Sequence, residues 1–275
     1  MRLDGKTILI TGSTDGVGRR VAQRLGGMGA RVLIHGRDKA RGAKVVDDLR
    51  AAGAEAAFYP ADLSSLAEVR RLAIAVRKDR DRLDVLINNA GLGPGSAPAR
   101  RESADGHELL FAVNYLAGFL LTALLLPLLR AAAPSRIVNV SSAGQEAIDF
   151  GDVMLTRGYS GARAYRQSKL AQILFTFDLA EALKGGVTAT CLHPSTFMDT
   201  TMVRQMGRSP VSTVDDGAEA VLKLAVGPEL EGRSGLYFNS LNEAQANPQA
   251  YDATARARLR ELSLKLTGLS EQAWA

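Results

Sequence analysis

The chain has 275 residues, 46% hydrophobic and 23% charged, which is enough to bury a sizeable core and too apolar for a disordered polymer. One cysteine, Cys191, excludes an intramolecular disulfide and a four-cysteine zinc site; three separated histidines (His35, His107, His193) exclude a histidine metal centre, so no metal is expected. The net charge of +5 raises a nucleic-acid reading, but the basic residues are scattered, aromatics are 5%, and no basic tail exists, so none is expected.

Short β-branched runs alternate with longer helical patterns. After the charged Met1–Lys6, the run Thr7–Thr11 is too short for a signal-peptide core and reads as the first strand. Further strands are expected at 31–35, 85–88, 136–140 and 187–192, with a return strand near 235–239. Helices are expected at 17–28, 39–52, 65–77, 107–130, 162–183 and 214–226, and an arginine- and leucine-rich one at 248–266. The stretch 111–129 is the most apolar, but Asn114 and Pro127 interrupt it. It reads as a buried helix and no membrane span is expected. A homodimer or homotetramer through residues 115–129 is expected instead. Strands alternating with helices, without a linker or repeat, predict an α/β fold. It is a doubly wound, Rossmann-type parallel sheet with helices on both faces, in one domain spanning 1–275. Its cofactor half is 1–135 and its catalytic and substrate half is 136–275. The single cysteine fits a reducing cytoplasm.

The first strand–helix turn reads Thr11-Gly12-Ser13-Thr14-Asp15-Gly16-Val17-Gly18. Glycines there let the backbone approach a pyrophosphate, and the helix N-terminus beyond offers free N–H groups. Gly12, Ser13, Thr14, Gly16, Val17 and Gly18 are therefore candidate dinucleotide contacts. The second strand ends Ile34-His35-Gly36-Arg37-Asp38. An acid there would accept bonds from a ribose 2′-hydroxyl; Gly36 stands in its place and Arg37 follows. A guanidinium can grip a 2′-phosphate, so NADP(H) is preferred, with NAD(H) possible. A solvated Arg37, or one paired with Asp38, is the bland alternative.

In the second half, Tyr165-Arg166-Gln167-Ser168-Lys169 puts Tyr165 and Lys169 on one helix face. A nearby ammonium would lower the phenol pKa and make Tyr165 a usable acid and base. The strand Arg136–Val140 ends in Ser141-Ser142, and a serine at a strand's carboxyl end can polarise a carbonyl.

These motifs, together with Asp62-Leu63, Asn88-Asn89-Ala90-Gly91 and Asn114, occur in the order found in the short-chain dehydrogenase/reductase family, which the chain resembles from residue 11 to about 200. The stretch Ala164–Gln172 and the ending Leu259–Leu269 resemble the retinol-dehydrogenase-like branch. The resemblance implies an NAD(P)(H)-dependent oxidoreductase that interconverts a small-molecule alcohol and a ketone or aldehyde. It implies a catalytic set of Asn114, Ser142, Tyr165 and Lys169. Tyr165 would exchange the proton, Lys169 would lower its pKa and hold the nicotinamide ribose, Ser142 would bond the carbonyl oxygen, and Asn114 would position a water. Asp62 would bind the adenine amino group with Leu63 beside it, and Asn89, Ala90 and Gly91 would line the cofactor.

Two departures stand out. The family usually has Pro-Gly after the sixth strand, where this chain has Pro194-Ser195-Thr196; these three residues are still expected to touch the cofactor. Thr200 matches the family's carboxamide-contacting threonine, with Thr201 a rival. His193 reads as a structural strand-end histidine. Ser142 and Tyr165 stand 23 positions apart, a longer gap than usual in the family. The extra segment near 145–161, with Asp149, Asp152, Arg157 and Tyr159, either shapes the substrate mouth or is a surface loop. Two rival functions follow: a non-catalytic dinucleotide sensor, which needs no acid–base group, and a nucleotide-sugar epimerase or dehydratase, which needs a larger C-terminal domain.

Overall fold

The computed structural model describes residues 2–96 and 99–274. Their strands are β1 (Thr7–Ile10), β2 (Arg31–Gly36), β3 (Ala56–Pro60), β4 (Val85–Asn88), β5 (Ser135–Val140), β6 (Val187–His193), β7 (Leu236–Asn239) and β8 (Asn242–Glu243). They form one sheet in the order β3-β2-β1-β4-β5-β6-β7-β8, parallel except for β8. That sheet runs unbroken through both halves of the chain. β1 and β4 are buried along their whole length, as strands covered on both faces must be. Successive residues of β1 point to opposite layers: Leu9 enters one core, Ile8 and Ile10 the other.

The helices α1 (Gly16–Gly27), α2 (Lys39–Ala51) and α7 (Val214–Val226) cover one face. The other face carries α3 (Leu66–Asp79), α4 (Leu109–Ala131), α5 (Gly161–Ala182) and α8 (Ala253–Thr267). The short α6 (Thr201–Gln205) follows β6. Asp15, Asp38, Ser65, Ser160 and Thr213 cap helix starts, each accepting from a first-turn N–H. After β3 the chain crosses to the far side of β1. The crevice at the carboxyl ends of β1 and β4 is therefore the topological switch point.

Sequence patterning overlooks three elements. β3 is an edge strand with only one β-sheet neighbour, and its Ala-Ala-Phe-Tyr-Pro run lacks β-branched residues. β8 has two residues, and α6 has five. The stretch expected at a subunit interface is packed within the chain. The apolar α4 is already covered by its own chain, with 89% of its most hydrophobic window buried. Tyr115 donates to or accepts from Ser263 of α8 at 2.7 Å, and α8 lies along α5.

Candidate active site

The glycine turn is held from behind. The Thr11 hydroxyl accepts from the N–H groups of Asn89 and Ala90 (2.9 and 3.0 Å), and Asn89 Nδ2 donates to the carbonyls of Thr11 and Gly12 (2.8 and 3.1 Å). The turn after β1 and the Asn89–Gly91 run after β4 are thereby one rigid edge. Glycine is obligatory at two points. A Cβ at Gly18 would lie 2.4 Å from Asn89 Nδ2, and Gly12, at φ +64°, would put one 2.8 Å from the Ala90 Cα.

Ser13 is held within the turn. It is fully buried, its hydroxyl donates to Ile10 O (2.8 Å) and accepts from His35 N–H (3.0 Å), and its own N–H bonds His35 O. It shapes the turn and presents no side-chain group to a ligand. The Val17 side chain likewise enters the core. Thr14 packs against Gly36, where a Cβ would meet its methyl at 2.6 Å. Any side chain at position 36 would therefore require Thr14 to shift.

His35 is a site residue that sequence reasoning missed. Its Nδ1 accepts from Gly12 N–H at 3.1 Å, which leaves Nε2 to donate to Ala61 O at 3.2 Å. Burial lowers its pKa to about 4, so the neutral ring clamps the turn to the ends of β2 and β3. A polar residue inside an otherwise apolar strand was the available signal.

At the adenosine end, Arg37 is exposed and lies 3.8 Å from Asp62. Asp38 is engaged elsewhere, capping α2 and pairing with Arg41 at 3.3 Å. Asp62 is itself fixed, accepting from Ser64 N–H (2.9 Å) while its N–H donates to Glu68 (2.6 Å). Leu63 is buried beside it.

Ser142, Tyr165, Lys169 and Asn114 converge past the carboxyl ends of β4 and β5. Asn114 sits in a π-helical segment of α4, residues Ala112–Leu116. Its amide is fully engaged: Oδ1 accepts from Leu92 N–H (2.7 Å), and Nδ2 donates to Leu92 O (3.1 Å) and Ser168 Oγ (2.9 Å). Lys169 is buried. Its Nζ donates to Val140 O and Gln172 Oε1, each at 2.9 Å, and lies 5.8 Å from the Tyr165 ring centre. Burial lowers Lys169 to about 7. Burial raises the Tyr165 phenol, while its bond to Ser142 pulls the other way. The net direction is upward, because desolvation outweighs the bond to Ser142. Ser142 Oγ also accepts from Gly144 N–H at 3.0 Å. Gly91 joins this cluster to the dinucleotide edge, since a Cβ there would sit 3.4 Å from Lys169 Nζ.

A buried polar chain sets α5 against the sheet. Asn88 Nδ2 donates to Thr122 Oγ1 (3.0 Å) and Asn139 Oδ1 (2.9 Å), and Asn139 Nδ2 donates to Thr176 Oγ1 (2.9 Å). Asn139 was invisible as a functional position because its partners come from other elements.

After β6, His193 bonds Thr196 Oγ1 at 3.0 Å, in keeping with a structural role. Pro194 is buried, and Ser195 Oγ donates to Ser212 Oγ at 2.9 Å. Thr200 caps α6, and its methyl would be 3.4 Å from a Cβ at Gly16. Thr201 donates its hydroxyl to Asp15 at 2.7 Å. Both threonines thus lie against the glycine turn, Thr200 through its methyl and Thr201 through Asp15.

The 145–161 segment lies beside Tyr165. Leu155 is 1% exposed and packs with Leu110, Ala164, Leu92, Tyr159 and Tyr165. The segment's polar residues are occupied locally. Asp152 accepts from the N–H groups of Thr156 and Arg157, Asp149 pairs with Arg163, and Tyr159 donates to the buried Glu108 at 3.3 Å. Gln249 brackets Ile148, accepting from its N–H (2.6 Å) and donating to its carbonyl (3.1 Å). The segment is thus fixed between Tyr165 and Gln249, beside the candidate site.

A family model for short chain dehydrogenases matches residues 6–210. Human retinol dehydrogenase 14 is 37% identical, over 97% of this chain and 88% of that protein. Human retinol dehydrogenase 13 is 36% identical, over 97% and 86%. Among solved structures, an uncharacterized protein from Mycobacterium Paratuberculosis superposes with a TM-score of 0.81 at 29% identity, covering 98% of this chain and 96% of that one. The Pseudomonas aeruginosa RhlG/NADP active-site complex gives 0.71 at 32%, covering 86% and 95%.

Proposed function

The chain belongs to the short-chain dehydrogenase family, whose members carry out NAD(P)-dependent oxidoreduction of alcohols and carbonyls, and from that premise we propose a reductase that uses NADPH on an aldehyde or ketone. The single observation that carries this reading is the convergence of Ser142, Tyr165 and Lys169 beside Gly91, on the same edge as the glycine turn.

The residues present fit a nicotinamide dinucleotide. Gly12–Gly18 brings backbone and a helix N-terminus to the switch point, and Asn89–Gly91 forms the opposing edge. Bound NADPH supplies the hydride. Ser142 Oγ–H and the Tyr165 phenol donate to the carbonyl oxygen as it gains charge. The phenol, raised by burial, holds its proton in the resting site and gives it up as the carbonyl oxygen gains charge. Lys169 stands by to stabilise the phenolate left behind. Arg37 would hold the 2′-phosphate, and Gly36 leaves no carboxylate to repel it.

The partly buried Leu92 and Tyr159, backed by Leu155, favour an apolar substrate, as do the relatives named retinol dehydrogenases. The test is NADPH oxidation across apolar aldehydes and ketones, with retinal among them. Tyr165→Phe should lower kcat about 10²–10⁴-fold while NADPH binding stays within about threefold. Turnover retained in that variant refutes the proton donor. Tight cofactor binding with no turnover in the parent chain favours a sensor.

A further inference from the structure

Lys169 is a long, flexible side chain whose charged end must stop at one point, beside the Tyr165 ring and the backbone of Gly91. Two acceptors define that point. One is the Val140 carbonyl at the end of β5, and the other is Gln172 Oε1, each 2.9 Å from Nζ. Gln172 lies three residues further along α5, on the same helix face as Lys169. It is 4% exposed, at a position where an apolar residue would satisfy packing alone. It also forms part of the lining of a cavity of about 10 Å³ shared with Thr11, Asn88 and Asn114, the size of a single water site. Its backbone carbonyl accepts from Thr176 Oγ1 at 2.7 Å, and Thr176 is the end of the Asn88–Asn139 chain. Gln172 is thus tied to the sheet through its backbone and to the lysine through its side chain.

We infer that Gln172 is a positioning residue that holds the Lys169 ammonium in register with Tyr165 and the Gly91 edge. The inference rests on the reading of Lys169 as the cation of the reaction centre. A neutral acceptor suits that role. It orients the amine in either charge state, whereas a carboxylate at the same place would trap it as an ion pair. Removing the acceptor should make the charged lysine less favourable, and a carboxylate should make it more so.

The experiment is a pH titration of the lysine side-chain carbons by NMR in full-length protein carrying labelled lysine, compared for the parent, Gln172→Leu, Gln172→Asn and Gln172→Glu. The chain has eight lysines, and Lys169 is assigned by the signal lost in Lys169→Met. The Lys169 midpoint should fall by about one pH unit in Gln172→Leu, a tenfold loss of proton affinity, and should rise in Gln172→Glu. Gln172→Asn, one methylene shorter, should move towards Leu. In parallel, kcat should fall roughly 10–100-fold in Gln172→Leu with the carbonyl KM within about threefold. The pH profiles of the Leu and Glu variants should shift in opposite directions. Unchanged Lys169 midpoints, or equal activity losses with the parent's pH profile, would overturn the inference and leave Gln172 a packing residue. If Gln172→Leu does not fold, the Asn and Glu midpoints decide by the same rule. The titration needs no substrate or cofactor. A chain that reduces no carbonyl compound would sink the proposed function and leave the order of midpoints to judge this inference alone.

Discussion

Arg37 and Asp62 share the adenosine rim, 3.8 Å apart and both open to water. Such a pair is weak, so the guanidinium can exchange its carboxylate for a phosphate at little cost. Arg37→Ala should weaken NADPH binding about 10–100-fold and leave NADH nearly unchanged, by isothermal titration. Equal losses for both cofactors would remove Arg37 from the 2′-phosphate. His35 acts at the same scale through its charge state. Its folded pKa is depressed from 6.5 to about 4, because burial disfavours the charged ring, and its Nδ1 must stay an acceptor for Gly12. The stabilisation is whole above pH 6.5 and is lost as pH falls towards 4. Melting temperature should therefore decline through that window in the parent. His35→Ala should be less stable at neutral pH and should show a shallower decline; an identical slope would show that the ring does not carry the linkage.

Among the elements, α4, α5 and α8 show how apolar pattern and polar exception cooperate. α4 is nearly all hydrophobic, yet its π-helical turn places Asn114 between Leu92 and Ser168. α5 carries Tyr165 and Lys169 on one side and buries Phe175 and Leu179 on another. α8 lies on α5, with Arg256 bonded to Glu181 at 2.6 Å, Arg260 to Asp178, and Leu259 1% exposed in the core. Leu259→Ala should cost about 2–5 kcal/mol, as core leucine truncations do. That is a fall in melting temperature of about 4–20 °C for a chain of this size. A fall under about 2 °C would mean that α8 is loosely attached. Arg256 and Arg260 are ion-paired clasps for this docking, and Arg258 lies over the Phe150 ring.

For the whole molecule, the order of the sheet decides where chemistry can occur. Reversal between β3 and β4 opens the crevice at the switch point, and every motif from Thr11 to Lys169 reaches it from a strand end or an adjoining helix. Much of this was legible in the sequence. Strand–helix alternation, the glycine turn, and the Tyr165/Lys169 spacing depend on local periodicity and on glycine's conformational range, which a single segment displays. The clamp at His35 and the Asn88–Asn139 chain join residues far apart in sequence; a polar residue in an apolar strand marks the position, but no local pattern names its partners. The Gln172 contact is local, but only the burial of its helix face gives it meaning. The same holds for the raised phenol of Tyr165: its value follows from how much water the whole fold removes. The apolar 115–129 stretch shows the limit most clearly. Its composition establishes that it must be covered, while only tertiary packing decides that the chain's own helices cover it. Sequence alone thus determined most of the elements, the parallel sheet and the chemical groups offered at its edge, because those depend on local geometry and periodicity. Tertiary structure decided which groups touch, which are desolvated and which surface remains exposed, because distance and burial are properties of the packed chain.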